Sequence, residues 1–279
     1  MRKLTCPEIN NIDLWDKIVS HKHSPGKEKL LSVRKKIIER YEFYSTHFDS
    51  LDDILPLSQG EWSDVKDELK KCYGNNIEFK KVKHQIYDTL SALKQRKCPY
   101  CMLGRPNTLE HYFDKDDYPE FSVFVPNLIP CCSECNSLKN TTLFDSHGKR
   151  KFIHFYHDMI PNYQFLFVRF TLSEYDSVPL VNVKLKFKEN NYYSNLIKRH
   201  FESLYLLSKY KEEILDRLAP LIEEIKLQKS KGTSDNTIKE NLQIKWESLS
   251  RTYGKNYWET CVYEGILNSK DFLDWLLLD

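Results

Sequence analysis

Apolar positions recur at three- and four-residue steps through the first third of the chain. Leu30, Val33, Ile37 or Ile38, Tyr41 and Tyr44 share one helical face, and Trp62, Val65 and Leu69 repeat the spacing after Ser58-Gln59-Gly60. Phe79, Val82, Ile86, Leu90 and Leu93 make a third stripe, on a helix expected to run into Cys98. The period is lost over 96–145, where Pro99, Pro106, Pro119, Pro126 and Pro130 separate short segments. Within that stretch 108–113 and 127–131 read as two short strands and 133–140 as a helix capped by Ser133, a hairpin followed by a helix. Further on, 180–187 sets Val181, Val183, Leu185 and Phe187 against polar neighbours, as a half-buried strand does, and 164–170 is its candidate partner. Helical spacing returns from Tyr193 through Leu196, Ile197, His200, Leu204 and Leu207, and again from Ile214 to Ile225. Residues 230–235, with Gly232 among them, are the best linker candidate, and 272–278 form a last apolar segment. The expected fold is α+β and mostly helical: a helical region over 1–95, a small module over 96–145, and a strand pair followed by helices over 146–279.

With 279 residues, 41% of them hydrophobic and 13% aromatic, the chain can bury a sizeable core. No apolar run approaches the roughly 20 residues needed to cross a bilayer. Nor does Met1-Arg2-Lys3-Leu4-Thr5-Cys6 lead into an apolar stretch of the kind a signal peptide needs, so a cytoplasmic protein with no membrane partner is expected. A net charge of +2 excludes the strong positive field of a protein that grips DNA unaided. Charge is nevertheless uneven. Lys80, Lys81, Lys83, Lys94, Arg96, Lys97 and Arg105 face only Asp88 before Glu110, and Lys149-Arg150-Lys151 form a second basic group. Each is either a phosphate-contacting patch or a solvated face.

Of the eight cysteines, four fall in two C-x-x-C pairs, Cys98-Pro99-Tyr100-Cys101 and Cys132-Ser133-Glu134-Cys135. In a charged chain without a signal segment this spacing favours a metal over disulfides, and four thiolates make a closed tetrahedral shell for a structural Zn²⁺. Such a shell has no open position for catalysis. Cys131 rivals Cys132 as a ligand, but only Cys132 keeps the x-x spacing to Cys135. Cys6, Cys72, Cys131 and Cys261 read as buried small residues or incidental thiols.

Around these pairs lie Glu110-His111, Asn127 and Asn136, with Lys139 just beyond. The order of cysteines, histidine and asparagines over 98–139 resembles the HNH endonuclease family, whose ββα-metal site is held by flanking zinc knuckles. The resemblance implies that His111 is the general base and that Asn127 is the central asparagine, holding the imidazole or bracing the hairpin. It places Asn136 at the last motif position, which is often histidine, and Lys139 at the basic residue that follows. A Mg²⁺ or Mn²⁺ ion bound by Glu110 and Asn136 would then serve phosphodiester hydrolysis. Glu110 departs from the usual Asp or His before the base, which leaves Asp114 as an alternative ligand. The wording Leu109-Glu110-His111-Tyr112, Tyr118-Pro119-Glu120-Phe121-Ser122 and Asn127-Leu128-Ile129-Pro130-Cys131-Cys132 is similar to the nuclease subunit of Septu-type and retron-associated anti-phage systems (PtuB-like), which works beside an ATPase. The implied partners are nucleic acid, DNA first, and a protein such as an ATPase. RNA or tRNA cleavage, and a non-catalytic zinc-ribbon adaptor, remain as alternatives. His154 and His157 read as packed or exposed, and Asp114, Asp116, Asp117 and Glu120 as an acidic loop beside the metal.

Overall fold

A computed structural model of the chain describes residues 3–74, 76–90, 96–172 and 179–278. The chain forms two compact units, Lys3–Met159 and a second that begins at Ile160. Each has its own core and is described by itself. Among the described residues no helix is long and apolar enough to cross a membrane.

The first unit opens with helices α1 (Asn11–Ser20), α2 (Gly26–Ser32), α3 (Arg34–Thr46), α4 (Gln59–Trp62), α5 (Lys66–Cys72) and α6 (Ile77–Asp88). Asparagine side chains start two of them: Asn10 accepts the backbone N–H groups of Ile12 and Asp13, and Asn76 those of Glu78 and Phe79. The expected stripes are buried at Leu30, Ile37, Tyr41, Tyr44, Trp62, Leu69, Phe79, Val82 and Ile86. The helices are shorter than the stripes suggested. Val33 sits between α2 and α3 and Val65 between α4 and α5, so each apolar row is shared by two helices. Helix α6 ends at Asp88, with Leu90 buried just beyond it, and Leu93 lies outside the described residues.

Strand β1 (Thr108–His111) pairs antiparallel with β2 (Leu128–Cys131), Thr108 opposite Cys131 and His111 opposite Leu128, and helix α7 (Ser133–Lys139) follows directly. Ser133 is the first residue of α7 and not its cap. Cys132 takes the cap position, and the Asn107 side chain accepts the Ser133 backbone N–H at 2.8 Å. The loop from β1 to β2 is anchored by aromatic packing. The ring of Tyr44 on α3 stands edge-on to Phe113, Phe121 and Phe124, with centroids 5.5, 5.1 and 5.0 Å away.

In the second unit, β3 (Leu166–Thr171) pairs antiparallel with β4 (Leu180–Leu185), and α8 (Tyr192–Ser203), α9 (Leu206–Ser230), α10 (Asp235–Tyr253), α11 (Trp258–Asn268) and α12 (Lys270–Leu276) follow. Helix α11 lies so close on β3 that a Cβ at Gly265 would meet the Val168 carbonyl oxygen at 2.6 Å. The segment 230–235 is a tight turn between α9 and α10, with Gly232 at φ +81°, and does not separate the two units; that boundary falls at Met159.

Candidate metal centre and the cavity beside it

The four paired cysteines come together. Cys98, Cys101, Cys132 and Cys135 are buried, and their sulfurs all lie within 4.8 Å of one another. A tetrahedral zinc with Zn–S bonds of about 2.3 Å needs sulfur–sulfur edges of about 3.8 Å, and Cys101 and Cys132 are 3.8 Å apart. The first pair is bent into a tight turn: the Met102 N–H donates to the Cys98 carbonyl at 2.7 Å, the Cys98 N–H to the Gly104 carbonyl at 2.8 Å, and Met102 has φ +56°. Backbone amides also point at sulfur, Leu103 N–H to Cys101 Sγ at 3.4 Å and Cys132 N–H to Cys98 Sγ at 3.3 Å, which favours thiolates. Gly104 leaves room for the second pair, since a Cβ there would stand 3.1 Å from Cys132 Cβ and 3.4 Å from its sulfur. Cys131 does not join the cluster. Its sulfur lies 3.4 Å from Thr108 Oγ1, and burial pushes its thiol up to about 12. The donor set and its dimensions fit a structural zinc.

Four of the residues expected to do chemistry stand on the adjoining hairpin and helix. His111, half-buried at the end of β1, donates through Nε2 to the Ser122 carbonyl oxygen at 2.9 Å, because a carbonyl can only accept. The neutral ring therefore keeps its lone pair on Nδ1. Burial, helped by the charges of Lys115, Lys139 and Lys83, pushes the His111 imidazole down to about 4. Asn127 is wholly buried and does not hold the imidazole. Its Oδ1 accepts the Phe113 N–H at 2.8 Å, and its Nδ2 donates to the carbonyls of Phe113 at 2.9 Å and Phe121 at 3.3 Å, so it braces the loop after β1. Asn136 on α7 donates to Thr108 Oγ1 at 3.1 Å. Glu110 Oε1 accepts from Lys139 Nζ at 2.7 Å, and the same ammonium donates to the His111 carbonyl at 3.0 Å. Both side chains of this pair are buried, and burial raises the Glu110 pKa against the pull of Lys139.

Glu110, His111, Asp114 and Asn136 line one cavity of about 710 Å³, together with Tyr73, Lys83 and Lys115. Its oxygen donors suit a hard divalent cation, but they do not close on one. Asp114 Oδ1 accepts the backbone N–H groups of Asp116 and Asp117, and Lys139 already supplies a cation to Glu110. Among the described residues, the acidic, histidine and cysteine side chains converge to metal-binding distance at the four cysteines alone.

Several charges are placed otherwise than their sequence position suggested. Arg150, from the second basic group, is 1% exposed. Its guanidinium grips both oxygens of Asp158 at 3.0 and 2.9 Å, Asp52 at 3.0 Å and the Tyr112 hydroxyl at 2.8 Å, so it cannot reach a phosphate. Of the acidic loop, Glu120 is buried against Arg40 at 2.8 Å, and Asp116 pairs with Lys70. His154 is packed in the core, where it shares a hydrogen bond of 2.9 Å with the Tyr44 hydroxyl, and His157 stacks on Phe48 with ring centres 3.6 Å apart. Reasoning from sequence missed Tyr73. Its ring stands edge-on to His111 at 4.4 Å and its hydroxyl donates to the Leu109 carbonyl at 3.3 Å. An aromatic at the end of a helix carries no sequence signal for that role.

The chain is similar to Protein ea31 of Escherichia phage lambda, with 24% identity over 221 residues that cover 75% of this chain and 74% of that protein. No family model matches the chain, and no solved structure matches it.

Proposed function

We propose that the chain is a metal-dependent endonuclease of the HNH type that hydrolyses phosphodiester bonds in nucleic acid, DNA first, and that it serves as the effector of a bacterial anti-phage system. The observation that carries this reading is the state of His111. Its Nε2–H is committed to Ser122, its Nδ1 keeps the lone pair, and the ring is neutral at ordinary pH on a cavity shared with Glu110, Asp114 and Asn136. A positioned imidazole with a free nitrogen lone pair is what proton abstraction from water requires, and it is this geometry that supports the role, since the lowered pKa makes the ring a weaker base than a free imidazole.

In this reading His111 Nδ1 takes a proton from the attacking water while the Ser122 carbonyl holds the ring in place. Asn127 keeps the backbone after β1 from shifting, and Lys139 pins the carbonyl at the strand's end. The resemblance assigns a Mg²⁺ or Mn²⁺ ion to Glu110 and Asn136, with Asp114 as the other available carboxylate; to bind it Glu110 would have to exchange its Lys139 partner for the ion, whose charge would then serve the scissile phosphate and the leaving 3′ oxygen. The four cysteines hold structural zinc and take no part in the reaction.

The test is to incubate zinc-loaded protein with duplex DNA, single strands and total RNA, in Mg²⁺ or Mn²⁺ and in chelator, beside His111→Ala. Metal-dependent cleavage that leaves 5′-phosphate and 3′-hydroxyl ends is expected from the parent and not from the variant. Cleavage by both proteins, or ends bearing a 2′,3′-cyclic phosphate, would overturn the mechanism.

A further inference from the structure

Two kinds of lysine stand in or beside the cavity at His111. Lys139 and Lys70 are paired with carboxylates, Glu110 and Asp116. Lys83, on α6, and Lys115, in the loop after β1, are half-buried and line the same cavity without a carboxylate partner among the described residues. Both ammoniums lie against one ring: Lys83 Nζ is 4.5 Å and Lys115 Nζ 5.6 Å from the centre of Tyr73. That ring also touches His111 and is tethered to β1 through the Leu109 carbonyl. A cation held over an aromatic face in a partly desolvated wall is attracted by the ring, yet it keeps most of its charge for an incoming anion. Of the carboxylates lining the cavity, Glu110 is paired with Lys139 and Asp116 with Lys70, which leaves these two lysines against the single carboxylate of Asp114, whose Oδ1 accepts two backbone amides.

We infer that Tyr73, Lys83 and Lys115 form an anion subsite that takes a backbone phosphate of the nucleic-acid strand and sets how that strand lies against His111. The inference rests on the proposed function and adds residues that lie outside strands β1 and β2 and helix α7. Tyr73 acts as a platform common to the two ammoniums and the imidazole, so the distance from the held phosphate to the base is fixed by one rigid ring. With its face covered by lysines, Tyr73 does not stack on a base, and the subsite reads phosphate and not sequence.

The experiment uses the full chain loaded with zinc and carrying His111→Ala, so that the probe is not consumed. Binding of a short fluorescent single strand and of the matching duplex is measured by anisotropy over a series of salt concentrations. Lys83→Gln with Lys115→Gln should weaken binding about tenfold and flatten the plot of log affinity against log salt by about 0.7 to 0.9, the share of one phosphate contact. Lys211→Gln, an exposed lysine on α9, should change neither, and Lys83→Arg with Lys115→Arg should retain most of the affinity. An unchanged affinity and slope in the double glutamine variant, or no binding by the parent, would overturn the subsite. Competition by inorganic phosphate at the oligonucleotide's own concentration would overturn the strand in favour of a free anion. The two readings fail separately. Charge-dependent binding by a chain that never cleaves keeps the subsite and removes the nuclease, whereas cleavage with an unaltered KM in the double variant does the reverse.

Discussion

At the scale of single residues, the proposed reading gives His111 the chemistry and Asn127 the positioning. His111→Ala should lower cleavage by about 10²–10⁴-fold, the usual cost of losing a general base, while zinc content stays at the parent level. The pH dependence follows from the imidazole being pushed down to about 4. A base works in its neutral form, so the rate should stay level as pH falls through 6.5 and should drop only as pH approaches 4. A pH–rate profile whose acid limb sits at 6.5 would mean that the ring is solvated, contrary to its packing on Tyr73. Asn127→Ala should act through folding, because it leaves the carbonyl and the amide of Phe113 unpaired in the core, at a cost on the order of 3 kcal/mol. Denaturant titration reads that loss, and an Asn127→Ala protein as stable as the parent would show that the brace is dispensable. The roles of these residues were only partly legible. Their order along the chain pointed to a site. The partner of each did not, because Ser122, Phe113 and Phe121 meet them through loop packing that no local spacing encodes.

At the scale of elements, the cysteine pairs were the most legible part of the chain, since metal coordination prescribes the two-residue spacing by itself. Elemental analysis of chelator-washed protein should find one zinc per chain. Cys132→Ser should lose it, and Cys131→Ser, whose sulfur rests on Thr108, should keep it. Helix existence was legible from the apolar stripes, but helix length was not: a stripe continues across Val33 and Val65 although the backbone breaks there. Arg150 marks the sharper limit. A lysine–arginine–lysine run reads as solvated charge, and its burial depends on Asp52, which is 98 residues away. Close approach of elements was invisible for the same reason. Gly265→Ala should force α11 off β3, destabilising the second unit by about 1–3 kcal/mol while zinc retention is unchanged. A melt of that variant followed beside its zinc content separates the two effects.

At the scale of the molecule, net charge is near balance, and the cavity offers two lysines without carboxylate partners. Affinity for nucleic acid comes largely from neutralised phosphates, so the lone chain should bind weakly, with the shallow salt slope of a few contacts. Tight binding and fast turnover by a monomer in size-exclusion and activity assays would contradict this. Slow turnover that an added partner accelerates is the expected result, with an ATPase as the partner if the defence-system resemblance extends beyond the central segment.

The clasp around Arg150 has a consequence in time. Tyr112, beside His111, is held by an arginine that follows it by 38 residues, and that arginine is completed by Asp158. A polypeptide is synthesised in order and folds by units, so the strand bearing His111 and both cysteine pairs are made before the arginine and the aspartate that clasp Tyr112. A nascent copy, tethered among ribosomal and messenger RNA, therefore carries the chemical groups without the frame that aligns them. Chains truncated before residue 150 and released should take up zinc and, if the proposed nuclease reading holds, should be inert toward nucleic acid, so that activity arrives late in synthesis.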